Sequence, residues 1–472
     1  MSKTPFAIDP KPMQGQSSAR AGVSAVSRVF RSLKLPGACQ ANLNTLKVRN
    51  AGWDSAQVVE SLIILHAAGG DTMDDIDMLR EDEGLWRMLG YELPASRSVR
   101  DFLLRFHSDE VVRKAEKAAR RQKLLAFIPE ETSGLEGLRR VLTASARSAA
   151  KALGNWQIAT VDEDTTIIES HKKSAKWTHE GIKGYQPVVA TWAETGLVVA
   201  DEFRDGNVPA KMAPVECAKA AFAALPDSVT RRHFRGDSGC YEWNLLKWLR
   251  HEDRSKEAGG AIGFAISASM SPELLAAAQV VSAKGWKLLS RDEDGTLRYW
   301  AELDFVPSEH GESKGTEPLR YLGVRLEKPQ GELFADGSHC RYFAVVTNRA
   351  EDGGWIVDWH RQKAGTVEQT HDQLKNGLGA GHVPCQKFGA NAAWFRIACI
   401  AYNVILALRG NWPDEALHTA HMKRLRFRIF NVTGRVVRDR RKISLRLAAS
   451  AVWIRQFQRL FDAFPLLTRP TG

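Results

Sequence analysis

Apolar residues recur with two different periods along the chain. From about residue 21 to residue 150 they return every three or four positions, the repeat of helices that bury one face. "DSAQVVESLIILHAAGG" opens on Asp54, which can cap a helix, and stops at Gly69 and Gly70. In "PASRSVRDFLLRFHS" Ser96 or Ser98 can cap, Phe102, Leu103 and Phe106 form the apolar face, and Arg97, Arg100 and Arg105 fall on solvent-facing positions. A helical DNA-reading module and a plain packing domain share this signature.

At "NWQIATVDEDTTIIES" the period changes to two. Alternation puts Ile158, Thr160, Asp162 and Asp164 on one side of a strand. "QPVVATWAETGLVVADEFRDG" reads as two strands joined at Glu194, Thr195 and Gly196, followed by the helix "APVECAKAAFAAL" and the strand "TRRHFRGD", which ends on Asp237. Residues from about 260 to 348 hold alternating, aromatic-rich runs divided by turns, which predicts an inserted β-rich subdomain. Two helical stretches follow, "DWHRQKAGTVEQTHDQLKNGLGAG" and "FGANAAWFRIACIAYNVILALRG", the second apolar enough for a core. The pattern predicts a mixed α/β core behind a helical region.

Composition adds little to this, and charge adds more. With 472 residues, 44% hydrophobic and 26% charged, the chain reads as soluble, with two or three domains. It has no run of about 18 apolar residues to suggest a membrane span. The first 20 residues form a polar tail without a signal-peptide core, so a cytoplasmic protein is expected. Six cysteines stand apart with no CxxC pair, against a zinc ribbon or a disulfide framework. The net charge of +11 points to a polyanionic partner. Residues 421–446 carry ten Lys or Arg against Asp439 alone. There Arg424, Arg426 and Arg428 alternate with Leu425, Phe427 and Ile429, as on a strand with one basic face. With Arg435, Arg438, Arg440, Arg441 and Lys442 they would track phosphates; a charged, protected edge strand is the other reading.

Two places suggest chemistry. Asp237, between Gly236 and Gly239, either caps the next helix or points a carboxylate into a cleft from a strand end, with the glycines leaving room for a ligand. Glu368, His371, Asp372 and Lys375 fall at i, i+3, i+4 and i+7 and share one helix face. Carboxylates from three separate elements suit a pair of hard divalent cations, which can drive phosphodiester chemistry.

The order strand-Asp-Thr-Thr, hairpin, helix, strand-Asp-Ser-Gly, β insertion, helix-Glu-x6-Lys resembles the DDE transposases of bacterial insertion sequences. "GYQPVVATWAETGLVVADEFRDGN", "RGDSGCYEWNLL", "HRQKAGTVEQTHDQLKNGL" and "FGANAAWFRIACIAYN" are similar to one branch of that group, and the likeness runs from about residue 20 nearly to the end. It implies an α/β fold, an RNase H-like mixed sheet core with a β-strand insertion before the glutamate, preceded by an all-helical domain. Its divisions would be a disordered tail (1–20), a helical DNA-end-binding domain (21–150), core (151–258), insertion (259–349), last core helices (350–412) and a basic DNA-binding and dimerisation region (413–472).

The same resemblance implies that Asp164, Asp237 and Glu368 are catalytic and hold two Mg²⁺, for which Mn²⁺ substitutes, with Asp162 in reserve for Asp164. The reaction would be cut-and-paste transposition on double-stranded DNA, at terminal inverted repeats and at a target, by a homodimer in a synaptic complex, with no membrane involved and the protein nucleoid-associated when bound. In the family pattern Tyr-x2-Arg-x3-Glu-x6-Lys, Lys375 matches, but Arg361 and Ala364 replace the Tyr and Arg. Arg361 and Lys363 are the nearby substitutes for phosphate contacts. His371 would orient water or DNA, or be an ordinary helix-surface histidine. Trp192, Trp243 and Trp248 would stack on a flipped base, or pack in the core. A nuclease that cuts without joining, and a noncatalytic DNA-binding derivative, are the rival readings.

Overall fold

The alternating segment Ile158–Thr165 (β1) lies inside a nine-stranded sheet of the computed structural model, which describes residues 17–46, 52–251, 260–307, 318–439 and 442–466. Val188–Trp192 (β2) and Leu197–Glu202 (β3) flank it on one side, Arg231–Gly236 (β4) and Ile262–Ala268 (β5) on the other. β2 pairs antiparallel with β1 and β3 with β2, while β4 is parallel to β1 and β5 to β4. The order β3-β2-β1-β4-β5 with this polarity is the RNase H-like core expected from the sequence.

The expected insertion proves continuous with that core. β5, at its start, is the fifth core strand, and Lys287–Arg291 (β6), Leu297–Leu303 (β7), Arg320–Glu327 (β8) and Cys340–Thr347 (β9) extend the same sheet outward from it. The join is an antiparallel ladder from Ala344 and Ala268 to Thr347 and Ala265. Ala265, Trp300, Leu322 and Val345 then bury Ile356 and Val357 in a small second core, so the extension carries its own packing.

Local signals explain most helix ends. Ser55–Ala68 (α1) starts in a capping box, Gln57 N–H donating to Asp54 Oδ1 (2.8 Å) and Asp54 N–H to Gln57 Oε1 (3.0 Å), and ends at Gly69 with φ of 97°. Ser96–Leu104 (α2) differs from expectation, because neither Ser96 nor Ser98 caps it. The Ser96 N–H donates instead to Asp77 Oδ1 (3.0 Å), a distant partner that local spacing cannot show. Ser133–Leu153 (α3) closes the helical region, and Pro214–Ala224 (α4) crosses between β3 and β4. The stretch expected as one long helix is broken into Gly353–Arg361 (α5) and Lys363–Asp372 (α6), followed by a π-helical turn over Gln373–Gly377.

Phe388–Gly410 (α7) has the length and apolarity to cross a bilayer, but its apolar stretch is wholly buried inside the fold. Arg396 at its middle donates to Asp201 Oδ1 (2.7 Å), pairs with Glu131 (2.7 Å) and bonds the Leu135 carbonyl (2.8 Å), tying α7 to β3 and to the start of α3. Asn403 accepts from Val198 N–H (2.9 Å) and donates to its carbonyl (2.8 Å), satisfying the open edge of β3. All six cysteines are free, as read.

The strand expected over residues 424–429 is helical instead: Met422–Leu425 is α and Arg426–Phe430 is π. Met422, Leu425, Ile429 and Phe430 are buried at helical spacing. The alternation misleads because Phe427 counts as apolar yet is 80% exposed. Gly434–Asp439 and Lys442–Leu447 then form a hairpin, to which Ser17–Ser18 adds a third strand. Ser17 and Ser18, inside the expected tail, are thus part of a sheet, while residues 1–16 lie outside the described residues. So do Arg440, Arg441 and the side chain of Lys442.

His66, on α1, is fully buried edge-on against Trp394 of α7, and neither ring nitrogen has a hydrogen bond of normal geometry. Burial lowers its pKa to about 4, a backbone contact at Leu378 opposing the shift and Arg426 adding to it. The folded protein therefore holds the ring neutral, while the unfolded chain takes a proton near 6.5. Stability is fully present above that value and is lost as pH falls through 6.5 towards 4, by on the order of 3 kcal/mol. His66→Leu removes this component: denaturant unfolding at pH 7.5 and 4.5 will show a smaller drop in the variant than in the wild type. An equal drop would mean that His66 is protonated in the folded state.

Candidate active site

The parallel ladder between β1 and β4 sets the geometry of the site. Asp162 is paired with Arg235 and Glu163 with Gly236, so one further step brings Asp164 and Asp237 side by side where both strands end. Asp162 is fully buried and accepts from Arg235 Nε and Nη2, both at 2.7 Å. Thr366 of α6 adds a third bond to it (3.2 Å). Arg235 also donates to the Trp359 carbonyl (2.6 Å), its guanidinium 5.3 Å from the centre of that ring. Burial raises the Asp162 pKa and Arg235 opposes the shift. With its oxygens taken by protein donors, Asp162 anchors the register, while Asp164, one pleat further on, keeps a partly exposed side chain.

Asp237 does not cap the helix that follows, Trp243–Arg250, whose cap is Glu242. The Asp237 Oδ1 accepts from Gly239 N–H (2.9 Å), capping the short 3-10 turn Ser238–Cys240, and the same side chain faces Asp164. Burial raises its pKa; Lys363 lowers it, and the neighbouring Asp164 carboxylate raises it again. Lys363, the first residue of α6, sets its Nζ 3.4 Å from Asp164 Oδ2, with these side chains 10% and 20% exposed. The glycines serve the fold here. A Cβ on Gly236 would lie 2.5 Å from Cys240 Cβ, and one on Gly239 would lie 2.9 Å from Ala210 Cβ.

Glu368 lies on the exposed side of α6, five residues after Lys363. Among the described residues no three His, Cys, Asp or Glu side chains stand close enough to hold a metal ion. The structure therefore brings Asp164 and Asp237 together and leaves Glu368 apart on the neighbouring helix. His371 is buried rather than on the helix surface, its Nε2 without a partner. Burial, then Lys375 and Lys363, lower its pKa to about 3. Lys375 donates to the Ile167 carbonyl (3.4 Å) just beyond β1.

His360 of α5 donates from Nε2 to the Gly236 carbonyl (3.0 Å), seating that helix on the end of β4. A cleft of about 470 Å³ opens beside it, lined by Asp237, Ser238, Arg298, Phe343, His360 and Arg361. Arg361 is exposed, 3.6 Å from Asp358.

Other expected contacts fall elsewhere. Trp192 is fully buried, its indole donating to the Ile158 carbonyl (3.1 Å) and meeting Trp156 edge-on, so it belongs to the core and not to a base-stacking site. Trp248 packs on Phe222, while Trp243 carries Lys247 and Arg250 against its ring. Arg424, Arg428, Arg435 and Arg438 are exposed. Arg426 is committed to the fold, bonding the carbonyls of Ala67 (3.0 Å), His66 (2.8 Å) and Gly377 (2.6 Å).

Arg235 and Thr366 escaped the sequence reading. A signal for Arg235 existed: two residues before each of the two acids, on the same strand face, stands a charge, Asp162 before Asp164 and Arg235 before Asp237, and these two charges are of opposite sign. Thr366 left no such mark.

A family model described as transposase DDE domain, group 1, matches residues 13–468, and the chain belongs to that family. It is a DNA transposase, of a family whose chemistry is the cutting and joining of DNA. Among solved structures it is similar to a piggyBac transposase in a synaptic complex with hairpin DNA, at 11% identity over 98% of this chain and 85% of that one. The TM-score is 0.43, a loose global likeness. No curated protein matches the chain in sequence.

Two carboxylates held side by side repel one another, a cost to the fold that functional sites commonly carry. Asp237→Asn keeps the shape and removes one charge. In EDTA it will raise the unfolding free energy by about 1 kcal/mol; a decrease in the variant would show that the Asp237 charge is stabilised by its surroundings.

Proposed function

We propose that this transposase cuts DNA at the ends of its own element and joins the freed 3′ ends to a target, with Asp164, Asp237 and Glu368 as its catalytic acids. The observation that carries this reading is the convergence of Asp164 and Asp237 at the ends of adjacent parallel strands, against a single lysine. Hard carboxylate oxygens facing one another, short of positive charge, suit Mg²⁺ or Mn²⁺. Asp164 and Asp237 would hold such ions, with Glu368 as the third carboxylate from α6. When bound, a pair of divalent ions activates the attacking oxygen and neutralises the leaving one.

The chain's own residues supply position and charge. Asp162 and Arg235 fix the register of the two acids, and His360 and Thr366 seat α5 and α6 against the strand ends. Arg361 and Lys375 would bind phosphates near the cut. The helical region and the exposed Arg424, Arg428, Arg435 and Arg438 would grip the transposon ends, in a dimer that brings two ends together. The attachment of the helical region through the buried ion pairs of Arg396 on α7 supports a role in presenting DNA to the acids.

The test uses duplexes carrying the element's own ends. With Mg²⁺ the wild type will cleave them and join them to a target, while Glu368→Gln binds them equally well but loses both activities by at least about a hundredfold. Undiminished cleavage in Glu368→Gln would remove it from the site, and cleavage without joining by the wild type would make the chain a nuclease.

A further inference from the structure

Lys363 is 8% exposed and projects from the first residue of α6 between the strand ends and the helix. Burying a lysine is costly unless an acid pairs with it, and Asp164 is the acid its Nζ reaches. Its charge is felt by more than that one residue, since it also favours the ionised forms of Asp237, Asp162 and Glu163. The lysine thus sits where several carboxylates most need a cation.

We infer that Lys363 is an internal counter-ion that occupies the cation position at Asp164, beside Asp237, and must be displaced before a divalent metal can bind. This rests on the assignment of those two acids as metal ligands. Without the lysine, two partly buried carboxylates would repel across the mouth of the sheet. With it, the acids stay together in the resting protein, and metal uptake competes with an ion pair. The four-carbon stem allows the ammonium to swing aside. A DNA phosphate entering the cleft offers it a new partner, so DNA and metal should favour one another's binding. An arginine here would keep the charge. A methionine would keep the stem and remove the competition.

The experiment measures Mn²⁺ binding to the free full-length protein by calorimetry and by the EPR signal of unbound Mn²⁺. Lys363→Met is expected to bind Mn²⁺ roughly tenfold more tightly or better, the scale of one favourable charge interaction. Lys363→Arg should keep the weak wild-type affinity, and Asp237→Asn placed on Lys363→Met should abolish the gain. Adding a DNA duplex should raise the wild-type affinity for Mn²⁺ by a larger factor than that of Lys363→Met. Equal affinities in wild type and Lys363→Met, or a weaker one in the variant with an unchanged circular dichroism spectrum, would overturn the lysine's role while leaving the metal assignment standing. Absence of Mn²⁺ binding in every form, with and without DNA, would overturn both. Should Lys363→Met not fold, Lys363→Gln makes the same neutral comparison.

Discussion

Two like charges must be held side by side, and the register between β1 and β4 is what holds them. A slip of one residue would turn Asp164 or Asp237 to the opposite face of the sheet, where Glu163 is already buried. That face has no room for another charge: burial raises the Glu163 pKa to about 8, and its Oε2 has no partner. The two-pronged bond between Asp162 and Arg235 makes such a slip costly, because it would strand a buried carboxylate and a buried guanidinium at once. The helices inherit this order. α5 rests on Arg235 and on the Gly236 carbonyl, and α6 reaches Asp162 through Thr366 and Asp164 through Lys363.

A second ion-paired arginine links the remaining parts. Arg396, buried on α7, joins β3 to the loop and helix that close the helical region. The apolar length that makes α7 resemble a membrane span is what a pillar shared by two packed regions requires. His66 and Trp394 meet on another side of the same pillar.

Much of this was legible in the sequence, for reasons that differ from residue to residue. Strand-like runs divided by turn residues gave β1 to β4 and their succession along the chain, while their side-by-side order came from the family resemblance. The capping box at Asp54 is a contact between residues three apart, so it could be read directly. What could not be read was chosen by distant partners. Ser96 fails to cap because Asp77 reaches its amide, and the 424–429 strand is a helix because Met422, Leu425 and Ile429 find a core. The glycines at 236 and 239 looked like space for a ligand, yet Cys240 and Ala210 occupy that space. At the site, Asp164 and Asp237 meet as their strands predict. Glu368 shares a helix with its neighbours, and period alone cannot say how far that helix stands from the acids.

The continuity of the sheet has a mechanical meaning. Five ladders connect β6 at the outer edge to β4 beneath Asp237 in one sheet. A twisted, hydrogen-bonded sheet resists shear between strands and yields more readily in twist. A load on the outer strands would therefore reach the acids as a small rotation of a stiff plate, making the distal edge a lever on the spacing of two carboxylates.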